Sequence, residues 1–298
     1  MVAPVKEMKW MILGGEGQLG RAISKELAIS GVEFISLNRV QLDITNQIEI
    51  KKWFEKESPD VVVNSAAWTN VDLAETEEKK ALLINALGPK NLAEECAANG
   101  IKLVQISTDY VFSGQATSPW NELDITAPTT AYGRTKARGE QLVLGAYPSG
   151  SLIVRTAWLY SPWGKNFVKT VLKIALKESK SIDVVTDQIG QPTSAFDLAK
   201  QVHTLVDSGA TQGIYHGTNG GQATWFDLAQ VLFSMVGQDP QRVRGVDSFA
   251  FPRPAKRPTY SVLGHNHWKS SGILPMRNWQ DALKDALPEL LQSMEQEG

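Results

Sequence analysis

The sequence predicts a doubly wound α/β fold, a parallel sheet with helices on both faces, with a smaller α/β lobe interleaved in its second half. Two features of the first half carry this expectation. Short apolar runs alternate there with longer amphipathic segments. The apolar runs are continuous rather than alternating with polar residues, as strands buried on both faces require. A third feature is a glycine cluster placed directly between the first strand and the first helix.

The elements follow in order. Trp10-Met11-Ile12-Leu13 reads as a buried strand and Gln18 to Ser30 as a helix ending at Gly31. Val32 to Leu37 is the second strand, Asn46 to Lys56 a helix stopped by Ser58-Pro59, and Asp60 to Asn64 the third strand. Glu77 to Asn99 reads as one long helix, with Gly100 as its C-terminal stop. Ile101 to Ser107 is a fourth strand, Ala131 to Leu144 a helix and Ser151 to Arg155 a fifth strand. Beyond Tyr160 the rhythm loosens. Helices are expected at 166–177, 195–206, 225–236 and 279–294, with strands at 182–185 and 213–216. The expected division is a discontinuous dinucleotide-binding domain, 8–160 with 191–218, and a substrate lobe, 161–190 with 219–298.

Composition bounds the function. The chain has 298 residues, 42% hydrophobic and 21% charged, which suits a globular protein able to bury a large core. A net charge of −2 gives no general attraction to nucleic acid or an acidic membrane. Cys96 is the one cysteine, which excludes an internal disulfide and favours a reducing compartment. Met1 to Glu7 have no signal-peptide core and are expected to precede the fold. No run approaches the ~18 apolar residues of a membrane span, so a cytoplasmic protein is expected. The sequence sets no oligomeric state and permits a homodimer.

The glycine cluster, Gly14-Gly15-Glu16-Gly17-Gln18-Leu19-Gly20, stands where backbone N–H groups at a helix N-terminus can meet a pyrophosphate. A plain strand-to-helix turn also favours glycine, and the position in a βαβ series selects the cofactor reading. After strand two, where an acid would bond the ribose of NAD, stand Asn38-Arg39. A guanidinium there suits a 2′-phosphate, so NADPH is expected and NADH is not excluded; the bland alternative is a solvated arginine. Asp43 suits an adenine amino group or a helix cap.

Tyr132-Gly133-Arg134-Thr135-Lys136 puts tyrosine and lysine at i and i+4 on one helix face. Carbonyl reduction leaves negative charge on oxygen, which a positioned acid must protonate. Free tyrosine titrates near ~10, and a neighbouring ammonium with the positive charge of a bound cofactor would bring it closer to working pH. A Tyr-x-x-x-Lys is common by chance. The added signal is Ser107-Thr108-Asp109-Tyr110 at the C-terminal end of strand four, where ligands bind in such sheets and where Thr108 supplies a hydroxyl.

With these motifs the chain resembles the extended short-chain dehydrogenase/reductase superfamily, of Rossmann type, and within it the dTDP-4-dehydrorhamnose reductase family. The resemblance runs from about Met8 to the last helix. It also rests on Asn64 to Asp72, Ser107 to Phe112, Arg155 to Tyr160, Asp187 to Thr193 and Arg253 to Pro258. Ser65 and Trp68 depart from the usual version of their loop.

The resemblance implies reduction of the 4-keto group of dTDP-4-dehydro-β-L-rhamnose to dTDP-β-L-rhamnose. Tyr132 would donate the proton, Lys136 would tune it and hold the nicotinamide ribose, and Thr108 would polarise the ketone. Gly14, Gly17, Gln18, Leu19 and Gly20 would cradle the pyrophosphate. Asn38, Arg39, Asp43 and Ile44 would surround the adenosine end, and Ala66 and Ala67 would line the path to nicotinamide. Asp109, Tyr110 and Trp158 would face the sugar, and Arg253 and Arg257 would reach the dTDP phosphates. Trp158 also suits a core aromatic, and the arginines a solvated basic run.

No metal is expected, since His265 and His267 have no cysteine or acidic partner nearby in sequence. Asn85 is assigned no role. A 4,6-dehydratase or epimerase of the same superfamily is the nearest enzymatic alternative, and dehydration is disfavoured because Asp109 is followed by Tyr110 rather than a second acid. A non-catalytic nucleotide-binding subunit, like the methionine adenosyltransferase β subunit, is disfavoured by the intact Thr108, Tyr132 and Lys136.

Overall fold

In a computed structural model that describes residues 8–177 and 179–296, six short strands form one parallel sheet. The expectation for the first seven residues lies outside the described residues. The strands are β1 (Trp10–Leu13), β2 (Phe34–Leu37), β3 (Val61–Asn64), β4 (Lys102–Thr108), β5 (Ser151–Thr156) and an edge strand, Gly213–His216. The spatial order from that edge is Gly213–His216, β5, β4, β3, β1, β2. The chain goes from β1 to β2 on one side, then returns to lay β3 on the other. That reversal opens a crevice beyond the C-terminal ends of β1 and β3, where Leu13 pairs with Asn64.

Every residue of β1 and β3 is buried, because helices cover both faces. On one face Trp10, Ile12, Val61 and Val63 pack under α1 (Gln18–Ile29) and the helix Ala195–Asp207. On the other, Met11, Leu13 and Val62 pack under α2 (Gln47–Glu57) and the helix Gly88–Asn99. Residues one apart thus serve opposite cores, as the period of two requires.

A separate apolar cluster forms the lobe. Tyr160, Leu172, Leu228, Phe233, Trp279 and Leu283 bring together the helices Phe167–Lys177, Trp225–Met235 and Trp279–Gln296. Ile182–Val185 pairs in parallel with Val243–Val246, a strand the sequence reading missed. The short helices Val71–Ala74 and Asn266–Ser270 were also missed.

The long helix expected over 77–99 is interrupted. It begins as Glu78–Leu82, widens into a π turn at Leu83–Leu87, and continues as Gly88–Asn99. The π turn contains Asn85, whose Oδ1 accepts from Trp68 N at 2.8 Å and whose Nδ2 donates to Thr135 Oγ1 at 3.1 Å. A Cβ on Gly139 would stand 2.1 Å from the Asn85 carbonyl oxygen, so the Ala131–Ala146 helix lies directly against this turn. Such interruptions concentrate at functional sites, and this one supports the helix that carries Tyr132 and Lys136.

Candidate active site

The crevice at the strand reversal is a cleft of about 670 Å³. Its walls include Gly14, Gly17, Gln18, Leu19, Asn38, Arg39, Asp43, Ile44, Ala66 and Ala67 at one end. Thr108, Asp109, Tyr110, Tyr132, Lys136 and Trp158 line the other. Residues more than 140 positions apart thus line one cleft.

At the first end, α1 starts at Gln18 with Gly17 as its N-cap, with no side-chain cap and no acid in the first turn. Its leading N–H groups are therefore left to an anion, and the helix dipole favours one. Gly14 has φ +76°, and a Cβ on it would stand 2.7 Å from Ala66 N, so only glycine fits where the first loop crosses the loop after β3. Gly20 does not line the cleft. A Cβ there would meet the Gly14 carbonyl at 2.3 Å, and its role is to bring α1 close to the loop. This cradle fits the pyrophosphate of a dinucleotide. Beside it, Asn38 Oδ1 accepts from Val40 N and Gln41 N at 3.0 Å each, and Asn38 Nδ2 donates to Glu16 at 2.8 Å. Arg39 lies largely exposed, 3.6 Å from the Asp43 carboxylate. Asp43 in turn accepts from Thr45 N and Oγ1 at 2.9 and 2.8 Å.

At the other end four polar side chains are buried together: Thr108, Asp109, Tyr132 and Lys136 are 5, 3, 9 and 4% exposed. Thr108 ends β4, opposite Thr156 of β5. Tyr132 and Lys136 project from the Ala131–Ala146 helix, which Thr130 caps by accepting from Gly133 N at 3.1 Å. That helix is fixed to β5 by a buried fork, Arg155 to Glu140 at 2.9 and 2.7 Å.

The bonds among these groups differ from expectation in two ways. Thr108 Oγ1 donates to Asp109 Oδ1 at 2.9 Å and accepts from Tyr110 N at 3.3 Å, so its proton is turned to Asp109 rather than into the cleft. Lys136 Nζ donates to the Ile106 carbonyl at 2.6 Å. Burial raises the Tyr132 phenol to about 12, with the Thr108 hydroxyl opposing and Asp109 assisting. The downward shift is expected from the lysine together with the cofactor's positive charge; in the chain by itself desolvation sets the direction. Burial also lowers Lys136 to about 8, against the pull of Glu140. It raises Asp109 to about 6, against the hydroxyls of Ser261 and Thr108.

Trp158 is held in the left-handed region at φ +44°, which costs a non-glycine residue energy. Its ring stacks on Trp225 at 3.5 Å and 10°, and closes against Gly190, where a Cβ would meet it at 2.5 Å. The lobe thus fixes an aromatic wall of the cleft. Arg253 and Arg257 are outside the cleft lining. Arg257 forks onto Asp72 at 2.9 and 2.8 Å, and Arg253 stands 3.9 Å from the same carboxylate. His265 is bonded to Thr218, and His267 to the Ile214 carbonyl.

Sequence reasoning missed Glu16, Thr69, Val71, Ile84 and Ser107, all of which line the cleft. It also missed Asp72, the partner of both arginines. Asp72 lies inside the motif Asn64 to Asp72, but nothing local pairs it with a residue 185 positions away.

The family described as the RmlD substrate binding domain matches residues 8–292. A dTDP-4-keto-6-deoxy-D-glucose reductase of Streptomyces niveus is 44% identical, over 95% of this chain and 97% of its own. A dTDP-4-dehydrorhamnose reductase of Streptomyces griseus is 43% identical, over 97% and 96%. A crystal structure of dTDP-4-dehydrorhamnose reductase from Bacillus anthracis in complex with NADP superposes with a TM-score of 0.91 at 37% identity, covering 95% of this chain and 99% of that one. With a match over nearly its whole length, the chain belongs to the RmlD substrate binding domain family, the family of the dTDP-4-dehydrorhamnose reductases.

Proposed function

We propose that this protein is an NADPH-dependent reductase of a 4-keto-6-deoxy nucleotide sugar, with dTDP-4-dehydro-β-L-rhamnose as substrate and dTDP-β-L-rhamnose as product. The observation that carries the reading is one cleft with an uncapped helix N-terminus at one end and a buried Thr108–Tyr132–Lys136 cluster at the other. The division into a dinucleotide-binding domain, 8–160 with 191–218, and a substrate lobe, 161–190 with 219–298, is supported in part: Leu172, Leu228, Phe233 and Leu283 gather in a core of their own, whereas Trp268, Ile273 and Met276 of the lobe segment pack into the core beneath the sheet. The lone, buried Cys96 supports a reducing, cytoplasmic setting, and no helix among the described residues is long and apolar enough to cross a membrane.

When bound, NADPH supplies the hydride. Gly14, Gly17, Gln18 and Leu19 hold its diphosphate, Arg39 its 2′-phosphate, Asp43 and Ile44 its adenine, and Ala66 and Ala67 flank the route to the sugar. Tyr132 keeps its proton at working pH because burial has raised its phenol, and it releases that proton to the sugar oxygen. An alkoxide is more basic than a phenolate, so the transfer runs downhill even from a phenol near 12. Lys136, held by the Ile106 carbonyl, stabilises the phenolate left behind. Thr108 lines the cleft with the phenol, and its hydroxyl opposes the rise that burial imposes on Tyr132. Asp109 holds Thr108 in turn. Tyr110 and Trp158 wall the sugar.

Arg257 and Arg253 meet the nucleotide diphosphate by turning from Asp72, which holds Arg257 within a proline-stiffened segment. Their fork suits phosphate oxygens better than an ammonium does.

The two Streptomyces relatives are named for sugars that share a keto group at C4 and differ in ring stereochemistry. Measuring kcat/KM for both sugars with NADPH tests the assignment. At least tenfold preference for the L-rhamno ketone is expected. The reverse preference would reassign the substrate while leaving the reductase chemistry standing.

A further inference from the structure

We infer that Asn166, at the start of the lobe's first helix, is a positioning residue for the cofactor: it sets which end of the Gln18 amide faces the diphosphate. The inference rests on the reading that the glycine loop holds that diphosphate.

One group in this chain of bonds cannot change roles. The backbone N–H of Lys169 only donates, and it meets the Asn166 side chain at 3.0 Å, so the atom there is Oδ1. This is the N-cap bond of the helix Phe167–Lys177. With Oδ1 fixed, Nδ2 points the other way. It donates to the Ser161 carbonyl at 2.8 Å, which only accepts, and to the Gln18 side chain at 3.0 Å. Gln18 must therefore present Oε1 to Asn166. Ser161 Oγ lies 3.1 Å from the same oxygen.

An amide has two ends, and fixing one fixes the other. Gln18 Nε2 makes no hydrogen bond among the described residues, and Gln18 is the first residue of α1 and lines the cleft. An amide NH2 is thus left beside uncapped backbone N–H groups at a helix N-terminus, adding a donor for a bound diphosphate. Had the amide turned over, its carbonyl oxygen would face the anion instead. Asn166 belongs to the lobe and Gln18 to the glycine loop, so one neutral side chain ties the lobe's first helix to cofactor binding.

The test is Asn166→Ser. Serine is an equally good N-cap, is neutral, and is too short to reach Gln18 while capping Lys169. The melting temperature should stay near that of the wild type. The NADPH Kd, read by fluorescence titration without sugar, should rise about three- to tenfold, a part of one charge-assisted hydrogen bond. The Kd of adenosine 2′-monophosphate, which has no diphosphate, should not move. Gln18→Ala should weaken NADPH similarly, and adding Asn166→Ser to it should weaken NADPH no further.

An unchanged NADPH Kd in Asn166→Ser, with Gln18→Ala weakened, overturns the inference and leaves the loop reading intact. The same holds for an effect of Asn166→Ser that persists at full size in the Gln18→Ala background. If neither variant moves NADPH binding, the Gln18 amide is no cofactor contact and the inference falls, while the backbone donors of the loop are tested apart by Gly17→Asp.

Discussion

The two ends of the cleft are built on opposite plans. At the glycine loop α1 begins with no side-chain cap and no acid in its first turn, and its donors are unspent. Some other helices of the same chain are capped by a side chain. The lobe helix Trp225–Met235 has a full capping box, with Thr224 and Asp227 bonding each other's backbone. At the catalytic end, by contrast, Thr108, Asp109, Tyr132 and Lys136 are buried, and Thr108 and Lys136 spend hydrogen bonds on protein partners. The difference separates binding from chemistry. Open donors wait for a charge that arrives with a ligand, whereas buried groups have their proton affinities set before anything binds.

The largest expected effect breaks the buried end alone. Tyr132→Phe should lower kcat by ~10²–10⁴-fold, as loss of a general acid does, with the NADPH Kd unchanged. Stopped-flow and binding titrations on one preparation read both quantities. A variant that turned over normally would remove Tyr132 from the reaction.

The next effect breaks the open end. Gly17 has φ −72°, so another residue fits its backbone, and a Cβ would stand 3.2 Å from the Gly14 carbonyl. Gly17→Asp would give α1 the acidic cap it lacks. NADPH affinity should fall roughly 30- to 100-fold as the carboxylate takes the free N–H groups and repels the diphosphate. Thr224→Ala, at the capped lobe helix, should instead cost ~1 kcal/mol of stability and leave NADPH binding alone. Equal effects on cofactor affinity would erase the contrast between the two helix ends.

A third test sharpens the buried end. Asp109 is raised from 3.8 to about 6, so the folded state binds its proton more tightly than the unfolded state does. Its contribution to stability is complete below about 4 and is lost as pH rises through about 6. Asp109→Asn escapes this loss while keeping an acceptor for Thr108. Chemical denaturation should find the variant more stable than wild type by on the order of 1–2 kcal/mol at pH 8, and by little or nothing near pH 4. A constant difference across that range would show that the carboxyl titrates normally.

Much of this was legible in sequence, and the reasons are local. Continuous apolar runs marked β1, β3, β4 and β5, because strands covered on both faces carry that pattern. The glycine cluster and the Tyr132/Lys136 spacing are short-range signals as well. What escaped depends on distance or burial. The π turn at Leu83–Leu87 keeps a helix-like apolar pattern, so only its neighbours Trp68 and Thr135 reveal it. The Asp72–Arg257 fork and the Arg155–Glu140 pair join residues from different elements, with no local mark. The direction of the Tyr132 shift needed the extent of its burial, which the i, i+4 spacing does not contain.

The smallest expected effect concerns the rim of the open end. Arg39 is largely exposed and loosely paired with Asp43. Arg39→Ala should weaken NADPH by about fivefold, less at high salt, and leave NADH nearly unchanged. Equal losses for both cofactors would return Arg39 to the solvated surface.

If both ends of the cleft serve one reduction, cofactor and sugar must react in fixed proportion. The purified protein is mixed with NADPH and dTDP-4-dehydro-β-L-rhamnose, while NADPH absorbance and the sugar product are followed together. One NADPH should be consumed for each dTDP-β-L-rhamnose formed. Saturable binding of both ligands with no NADPH consumed would contradict it and mark the chain as a nucleotide-binding subunit without catalysis.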